Sequence, residues 1–106
     1  MSYFKCEVFV PEDDYPALIE ALNQAGLLGN GDYDYVHAST PVMGHWRALR
    51  GADPAIGEIG EVTSYPELKL EFRVPEASLL QARQIITENH SYETPIINFL
   101  KLYDGT

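Results

Sequence analysis

The chain has 106 residues, 45% of them hydrophobic and 22% charged; this is enough for one core burying roughly two-thirds of the unfolded surface, and it excludes a disordered segment. Sixteen acidic residues against seven basic ones give a formal charge of -9, a field that repels nucleic acid and anionic lipid, so neither is an expected partner. The single cysteine, Cys6, cannot form an internal disulfide, no apolar stretch approaches the roughly 20 residues that cross a bilayer, and the N-terminus lacks a basic segment followed by an apolar run. The expectation is one cytoplasmic domain over residues 1–106.

In chain order, Phe4, Cys6, Val8 and Val10 alternate with Tyr3, Lys5, Glu7 and Phe9, the period of a strand with one buried face. This makes Cys6 a core residue rather than a nucleophile. After a Val-Pro-Glu step, Leu18, Ile19, Leu22 and Ala25 recur on one helical stripe. Asp13 or Asp14 stands near the helix start, where free N–H groups need an acceptor, Pro16 falls in the first turn, and Gly26 supplies a left-handed cap. "DYDYVHAST" then has the β-branched and aromatic content of a strand. The stretch from Gly29 to Pro66 holds six of the eight glycines. Within it, "VMGHWRAL" reads as an extra strand or hairpin arm. "RGADPAIGEIGEV" is too rich in Gly and Pro for a helix and should be a loop returning to the sheet.

From Leu68 the first unit repeats: "LKLEFRVPEASLLQARQIITENH" lies on "FKCEVFVPEDDYPALIEALNQAG" without a gap. Leu68, Leu70, Phe72 and Val74 alternate with Lys69, Glu71 and Arg73. Leu79, Ala82, Arg83 and Ile86, with Ile85 beside them, form the second helical stripe. Ser78 stands at the helix start, and His90 occupies the place of Gly26. "TPIINFLKLY" supplies a last strand. Two strand-helix units, each followed by an apolar strand, predict an α+β, ferredoxin-like βαββαβ sandwich with a long Gly-rich insert between its halves. The helix-free face would carry Lys5, Glu7, Lys69, Glu71 and Arg73, either solvated or as a polar oligomer contact.

Three constellations carry chemistry. His90, Tyr92 and Glu93, within "ENHSYETPIINFL", stand at a helix C-terminus, where unpaired carbonyls favour a protonated imidazole; they either line a ligand or form an ordinary turn, with His90 capping, Tyr92 packed beneath and Glu93 in water. His45, Trp46, Arg47 and Arg50 lie in the insert, where an indole face and guanidinium forks suit an aromatic anion, against a reading in which Trp46 packs on the sheet edge and the arginines pair with acids. "GEIG" lacks the Lys-Ser/Thr of a phosphate loop. His37, His45 and His90, with Glu93 nearby, include ligand types that copper or zinc accepts, but no pair has recognised ligand spacing. That admits a weak surface site for a divalent metal rather than a structural one, and the cofactor stays unknown.

"HSYETPII" resembles the His-Pro-Tyr-Glu-x-Pro segment of two groups with this topology, the CutA-like trimeric proteins and the inserted domain of YqfO-type proteins, which also occurs as a standalone protein. The second resemblance extends upstream: "GNGDYDYV" is similar to that family's Gly-x-Gly-x-Tyr-x-x-Cys, "GHWRAL" to its Gly-x-Phe-Arg-Pro-Leu, and "GADPAIGEIGEV" to its Gly-Ala-x-Pro-x-Ile-Gly-x-x-Gly; "ELKLEFRVP" fits the Glu-x-x-x-Glu strand that follows. The motifs come in order over nearly the whole chain. Ser91 and Ala48 stand where the family has proline, Thr94 where a second glutamate is common, and Val36 where it has cysteine, which argues against a cysteine-dependent metal site. In the larger relatives a separate core binds two metal ions; nothing here resembles that core, so its hydrolase activity is not carried over.

The resemblance implies a PII-like and CutA-like architecture, a homotrimer, and a ligand-sensing or regulatory role. The leading expectation is therefore a non-enzymatic module that binds a small molecule or metal ion at clefts between subunits, lined by His90, Tyr92, Glu93, His45, Trp46, Arg47 and Arg50. Two alternatives are an enzyme with His90 and Glu93 as an acid/base pair and a protein-binding adaptor using the acidic surface.

Overall fold

A computed structural model describes residues 2–103; residue 1 and residues 104–106 of the expected domain lie outside the described residues. The elements are β1 (Tyr3–Pro11), α1 (Tyr15–Gln24), β2 (Ala38–Arg47), β3 (Val62–Pro75), α2 (Leu79–Glu88) and β4 (Ile97–Leu102). One-turn 3-10 helices, Glu12–Asp14 and Glu76–Ser78, lead into α1 and α2. The four strands form one antiparallel sheet in the order β2-β3-β1-β4. Two helices on one face of such a sheet make the α+β, ferredoxin-like sandwich that the repeat implies.

The repeat survives to the residue. Each element of the second unit ends or begins 64 positions after its counterpart: Pro75 after Pro11, Leu79 after Tyr15, Glu88 after Gln24. In the register of β1 against β3, Glu7 pairs with its own counterpart, Glu71, so the pseudo-two-fold relating the halves runs through that pair. Around it on the helix-free face, Lys5 and Lys69 each contact both glutamates, at N···O distances from 3.1 to 3.6 Å. The contact with Glu71 raises the Lys69 pKa, and the contact with Lys69 lowers that of Glu71. Such partly exposed pairs stabilise little on their own, but their alternating signs let four charges share a small area. Arg73 lies with its guanidinium carbon 4.2 Å from the Tyr3 ring centre.

The core lies between this sheet and the helices, where the two periodicities converge. Cys6, Val8 and Val10 of β1, Leu70, Phe72 and Val74 of β3, Leu18 and Leu22 of α1, and Ala82 and Ile86 of α2 are buried together. Leu27 and Leu28, just after α1, complete it. Arg83, expected on the apolar stripe, is exposed instead, because Ala82 and Ile86 already face the sheet and the next position turns away. Neither Asp14 nor Ser78 caps a helix with its side chain. Asp14 instead accepts two 2.8 Å hydrogen bonds, from the backbone N–H and the hydroxyl of Ser91, tying the start of α1 to the exit from α2.

The insert departs most from expectation. Residues 32–37 are not strand: Tyr35 has φ 55°, a left-handed conformation a strand does not admit. It is held by a 2.7 Å bond from its N–H to Asn23 Oδ1 and by bonds from its hydroxyl to the Glu20 carboxylate. Pairing starts at Ala38 and runs unbroken to Arg47, so the separate strand and hairpin arm of the sequence reading are one strand. Beyond Val42↔Glu67, β2 and β3 continue past the end of β1 as a two-stranded arm closing at Arg47↔Val62, and the molecule measures 46 × 24 × 22 Å. Residues 48–61 return as the expected loop, clasped by a 2.8 Å bond from Gly60 N to Ala48 O. No helix among the described residues is long and apolar enough to cross a membrane.

Candidate functional site

The arm overhangs β1, and that overhang makes a cleft. Alternation places Phe9 of β1, Val42, Gly44 and Trp46 of β2 and Glu67 of β3 on the helix-free face. The loop after β2 folds over this face, and the turn between α2 and β4 approaches from the other side. Between them lies a cavity of about 600 Å³, within the range of small-molecule sites. Ala52, Pro54 and Ile56 of the loop and Tyr92, Glu93, Thr94 and Ile96 of the turn supply much of its wall. Glu93 Oε2 accepts a 3.1 Å hydrogen bond from the backbone N–H of Asp53, joining turn to loop.

Glu67 is the polar centre of the cleft. It is only 5% exposed, and Tyr92 donates a 2.7 Å hydrogen bond to its Oε2. The carboxylate lies against the backbone of Gly44, where any Cβ would collide with it; glycine is needed there for room, not for a special dihedral. Burial first, and then the hydrogen bond to Glu67 and its charge, push the Tyr92 phenol well above its ordinary range, so Tyr92 is a donor at every physiological pH. Its ring packs against Trp46 at 5.2 Å and His90 at 4.9 Å between centres, both tilted. The indole and phenol thus form an aromatic wall beside a buried carboxylate.

Of the residues singled out from the sequence, Tyr92, Glu93, His45, Trp46 and Arg47 line the cavity. His45 and Arg47 alternate away from Trp46 and are exposed; His45 Nδ1 shares a 2.8 Å hydrogen bond with the Ser64 hydroxyl. Arg50 and His90 do not line it. Arg50 stands on an exposed turn beyond the end of β2. His90 is buried behind Tyr92, its Nε2 2.7 Å from the carbonyl of Phe9 and its Nδ1 3.2 Å from the Tyr92 N–H. A carbonyl only accepts, so the proton is on Nε2, and Nδ1 accepts from Tyr92. With both nitrogens hydrogen-bonded to backbone, His90 braces the exit turn; it does not line the cavity and forms no hydrogen bond with Glu93, whose partner is Asp53. The acid/base pairing is corrected on that ground.

The structure does not bring the three histidines together. His37 Nδ1 donates to Tyr35 O at 2.7 Å, and its Nε2 accepts from the Tyr15 hydroxyl at 2.7 Å. Eight strand-like steps separate it from His45, roughly 25 Å. Among the described residues no group of three or more His, Cys, Asp or Glu side chains is arranged to hold a metal ion.

Sequence reasoning passed over Glu67 and Gly44 as site residues. Glu67 sits in a quoted strand motif, but glutamate at an outward position reads as solvated. The available signal was Gly44, since a glycine inside a strand marks a bulge or a close approach.

No family model matches the chain. It is similar to the GTP cyclohydrolase 1 type 2 homolog of Staphylococcus epidermidis, 31% identical over 100 residues, a match covering 94% of this chain and 27% of the relative. The chain therefore spans about a quarter of the length of the curated relatives it matches. Its fold is shared by solved structures, among them the following three. A Bacillus cereus protein related to NIF3 matches with a TM-score of 0.83 at 21% identity, over 97% of this chain and 26% of that one. The periplasmic divalent cation tolerance protein CutA of Archaeoglobus fulgidus matches at 0.73 and 13%, over 98% of this chain and 87% of that one. The GlnK-ATP complex of B. subtilis matches at 0.67 and 15%, over 95% and 82%.

Proposed function

We propose that the chain is a small-molecule-sensing module, a single unit over residues 1–106 that binds its ligand in the cleft between the arm loop and the exit turn and works by binding rather than by catalysis. One observation carries this: a cavity of about 600 Å³ has an apolar and aromatic wall and a single buried polar group, the composition that binding pockets share. The fold neighbours support the same reading, since one was solved with ATP and another is named for divalent cation tolerance. Metal enters this proposal only through the company of that second neighbour; the cleft itself offers an aromatic wall and one carboxylate, which suit an organic ligand better than a bare ion.

The proposal includes a homotrimer in the cytoplasm. Met43, Leu49, Ile59 and Val62 are exposed along the arm and its loop, Val62 at 73%, and a second copy would cover them. Light scattering at micromolar concentration should give three times the 11.9 kDa chain mass; a monomer mass would remove the trimer. The binding reading is tested by thermal-shift screening of nucleotides, amines and divalent metals against the wild type and Trp46→Ala. Binding to the native state alone raises the melting temperature. A ligand that stabilises the wild type but not Trp46→Ala supports the cleft, whereas equal shifts in both place binding elsewhere.

A further inference from the structure

We propose that the ligand of this cleft is a small organic cation: an apolar or aromatic body ending in one ammonium or amidinium group, with that group seated on the Glu67 carboxylate. The inference deepens the binding reading and rests on it. It runs opposite to the anionic ligand that Trp46 and the arginines imply in the bare sequence.

The cleft carries an imbalance of charge. Glu67 is 5% exposed and lines the cavity, yet among the described residues it forms no ion pair; its one hydrogen bond comes from the neutral Tyr92 hydroxyl. A carboxylate removed from water is costly unless a cation or several donors replace the lost hydration. Every other described carboxylate with a hydrogen bond or ion pair to another residue is more exposed: Glu7 and Glu71 share two lysines, Asp14 takes two donors, and Glu93 holds the Asp53 N–H. Arg47, the one basic residue lining the cleft besides His45, alternates to the exposed side. The protein thus leaves one acceptor under-used at the back of an apolar pocket.

An incoming ammonium or amidinium group supplies what is missing, two or three donors and a full positive charge. The rest of the pocket suits such a ligand. Trp46 and Tyr92 line the cavity with packed rings, adding attraction for a cation and a surface for an apolar body. Val42, Ala52 and Ile56 offer no competing polar group. The chain's formal charge of -9 draws cations toward the mouth and holds anions off.

The test uses three probes of one shape: 2-phenylethylamine, a cation at neutral pH, the neutral 2-phenylethanol and the anionic phenylacetate. Each is titrated at fixed ionic strength into the full chain, followed by amide NMR shifts and calorimetry. Amine binding is expected to perturb the resonances of Trp46, Tyr92 and Gly44 and to be about tenfold or more tighter than the alcohol, the size of a charge-assisted hydrogen bond, with phenylacetate weaker still. Glu67→Gln keeps an acceptor for Tyr92 and should bring the amine to the level of the alcohol. Glu88→Gln, which removes an equal charge from the exposed end of α2 outside the cavity, should change it less than about threefold. The proposal is overturned when the alcohol or the acid binds as tightly as the amine, when Glu67→Gln keeps the amine preference, or when shifts scatter over the acidic surface. If Glu67→Gln does not fold, the wild-type ranking of the three probes decides alone. Binding led by the alcohol or the acid sinks the cation and leaves the cleft standing; no cleft response to any probe at millimolar concentration sinks both.

Discussion

Tyr92 reaches 25 positions back along the chain to place its hydroxyl 2.7 Å from Glu67 Oε2, so one hydrogen bond joins the exit turn of α2 to the residue of β3 that pairs with the end of β1. The bond engages one oxygen of a buried carboxylate and fixes one side of the cleft. Tyr92→Phe keeps the ring against Trp46 and His90 but leaves Glu67 without its donor. Removing one partner of a buried pair costs about 1–3 kcal/mol, and urea denaturation should show that loss. Combined with Glu67→Ala, the change should cost less than the sum of the two single substitutions, because both break the same bond. Full additivity would mean that the hydroxyl stabilises through something other than Glu67.

The crowding of Gly44 against the Glu67 carboxylate gives a sharper mutation. Gly44 has no positive φ, and alanine favours strand backbone at least as well as glycine, so propensity alone predicts that Gly44→Ala is neutral or stabilising. Packing predicts the reverse: the new methyl must drive the carboxylate from its seat, an overpacking cost of about 1–3 kcal/mol. The double variant Gly44→Ala/Glu67→Ala should recover most of that loss in chemical denaturation. A single variant as stable as the wild type would show that the carboxylate moves freely and is not seated at the back of the cleft.

Which features the sequence discloses follows from the range of the interactions behind them. Alternation in β1 and β3 and the stripes on α1 and α2 are local patterns, and the matched Val-Pro-Glu steps set both units in register; hence the repeat, the core position of Cys6 and the sheet were legible. The strand boundaries in the insert were not. Tyr35 belongs to a type common in strands but is turned into the left-handed region by Asn23 and Glu20 on α1, 12 and 15 positions away. Gly44 drew no reading of its own and is an accommodation to a partner on the next strand. His90 read as a candidate ligand contact because its acceptor, the Phe9 carbonyl, lies 81 positions back. Tyr92, Trp46 and Glu93 were found through residue type and motif, and the cleft that gathers them arises only when the arm outruns β1.

His90 can be examined without perturbing the fold. Its two contacts require the neutral ring with the proton on Nε2. Long-range nitrogen-15 correlation spectra of the imidazole should therefore show a protonated Nε2 and an unprotonated, pyridine-like Nδ1 near neutral pH. The opposite tautomer, or fast averaging between the two, would break the link to Phe9. His90→Ala removes the brace and leaves the Phe9 carbonyl and the Tyr92 N–H without their partner, so it should destabilise the chain by about 1–3 kcal/mol. It should also weaken amine binding through loss of order in the turn, although His90 does not line the cavity.

Cys6 provides a pH signature of the core. It is fully buried in β1 between Val8 and Phe4 on the core face, and burial, with a smaller contribution from the neighbouring Glu7 charge, pushes the thiol from 9.0 up to about 12. A raised pKa in the folded state means that the native protein keeps a proton the unfolded chain gives up. The stabilisation is complete below pH 9 and is lost as pH climbs toward 12. Three units correspond to about 4 kcal/mol at the upper end. Urea midpoints should fall between about pH 9 and pH 11 in the wild type and fall less in Cys6→Ala, which begins less stable at neutral pH because it leaves a small void. A residual alkaline slope in the variant is expected from Tyr92, whose phenol is also raised. At about pH 8, Cys6 should react with a disulfide reagent only at the rate at which the core opens, rising steeply with urea. Rapid labelling of the native protein, or identical alkaline slopes in the two proteins, would contradict the buried thiol.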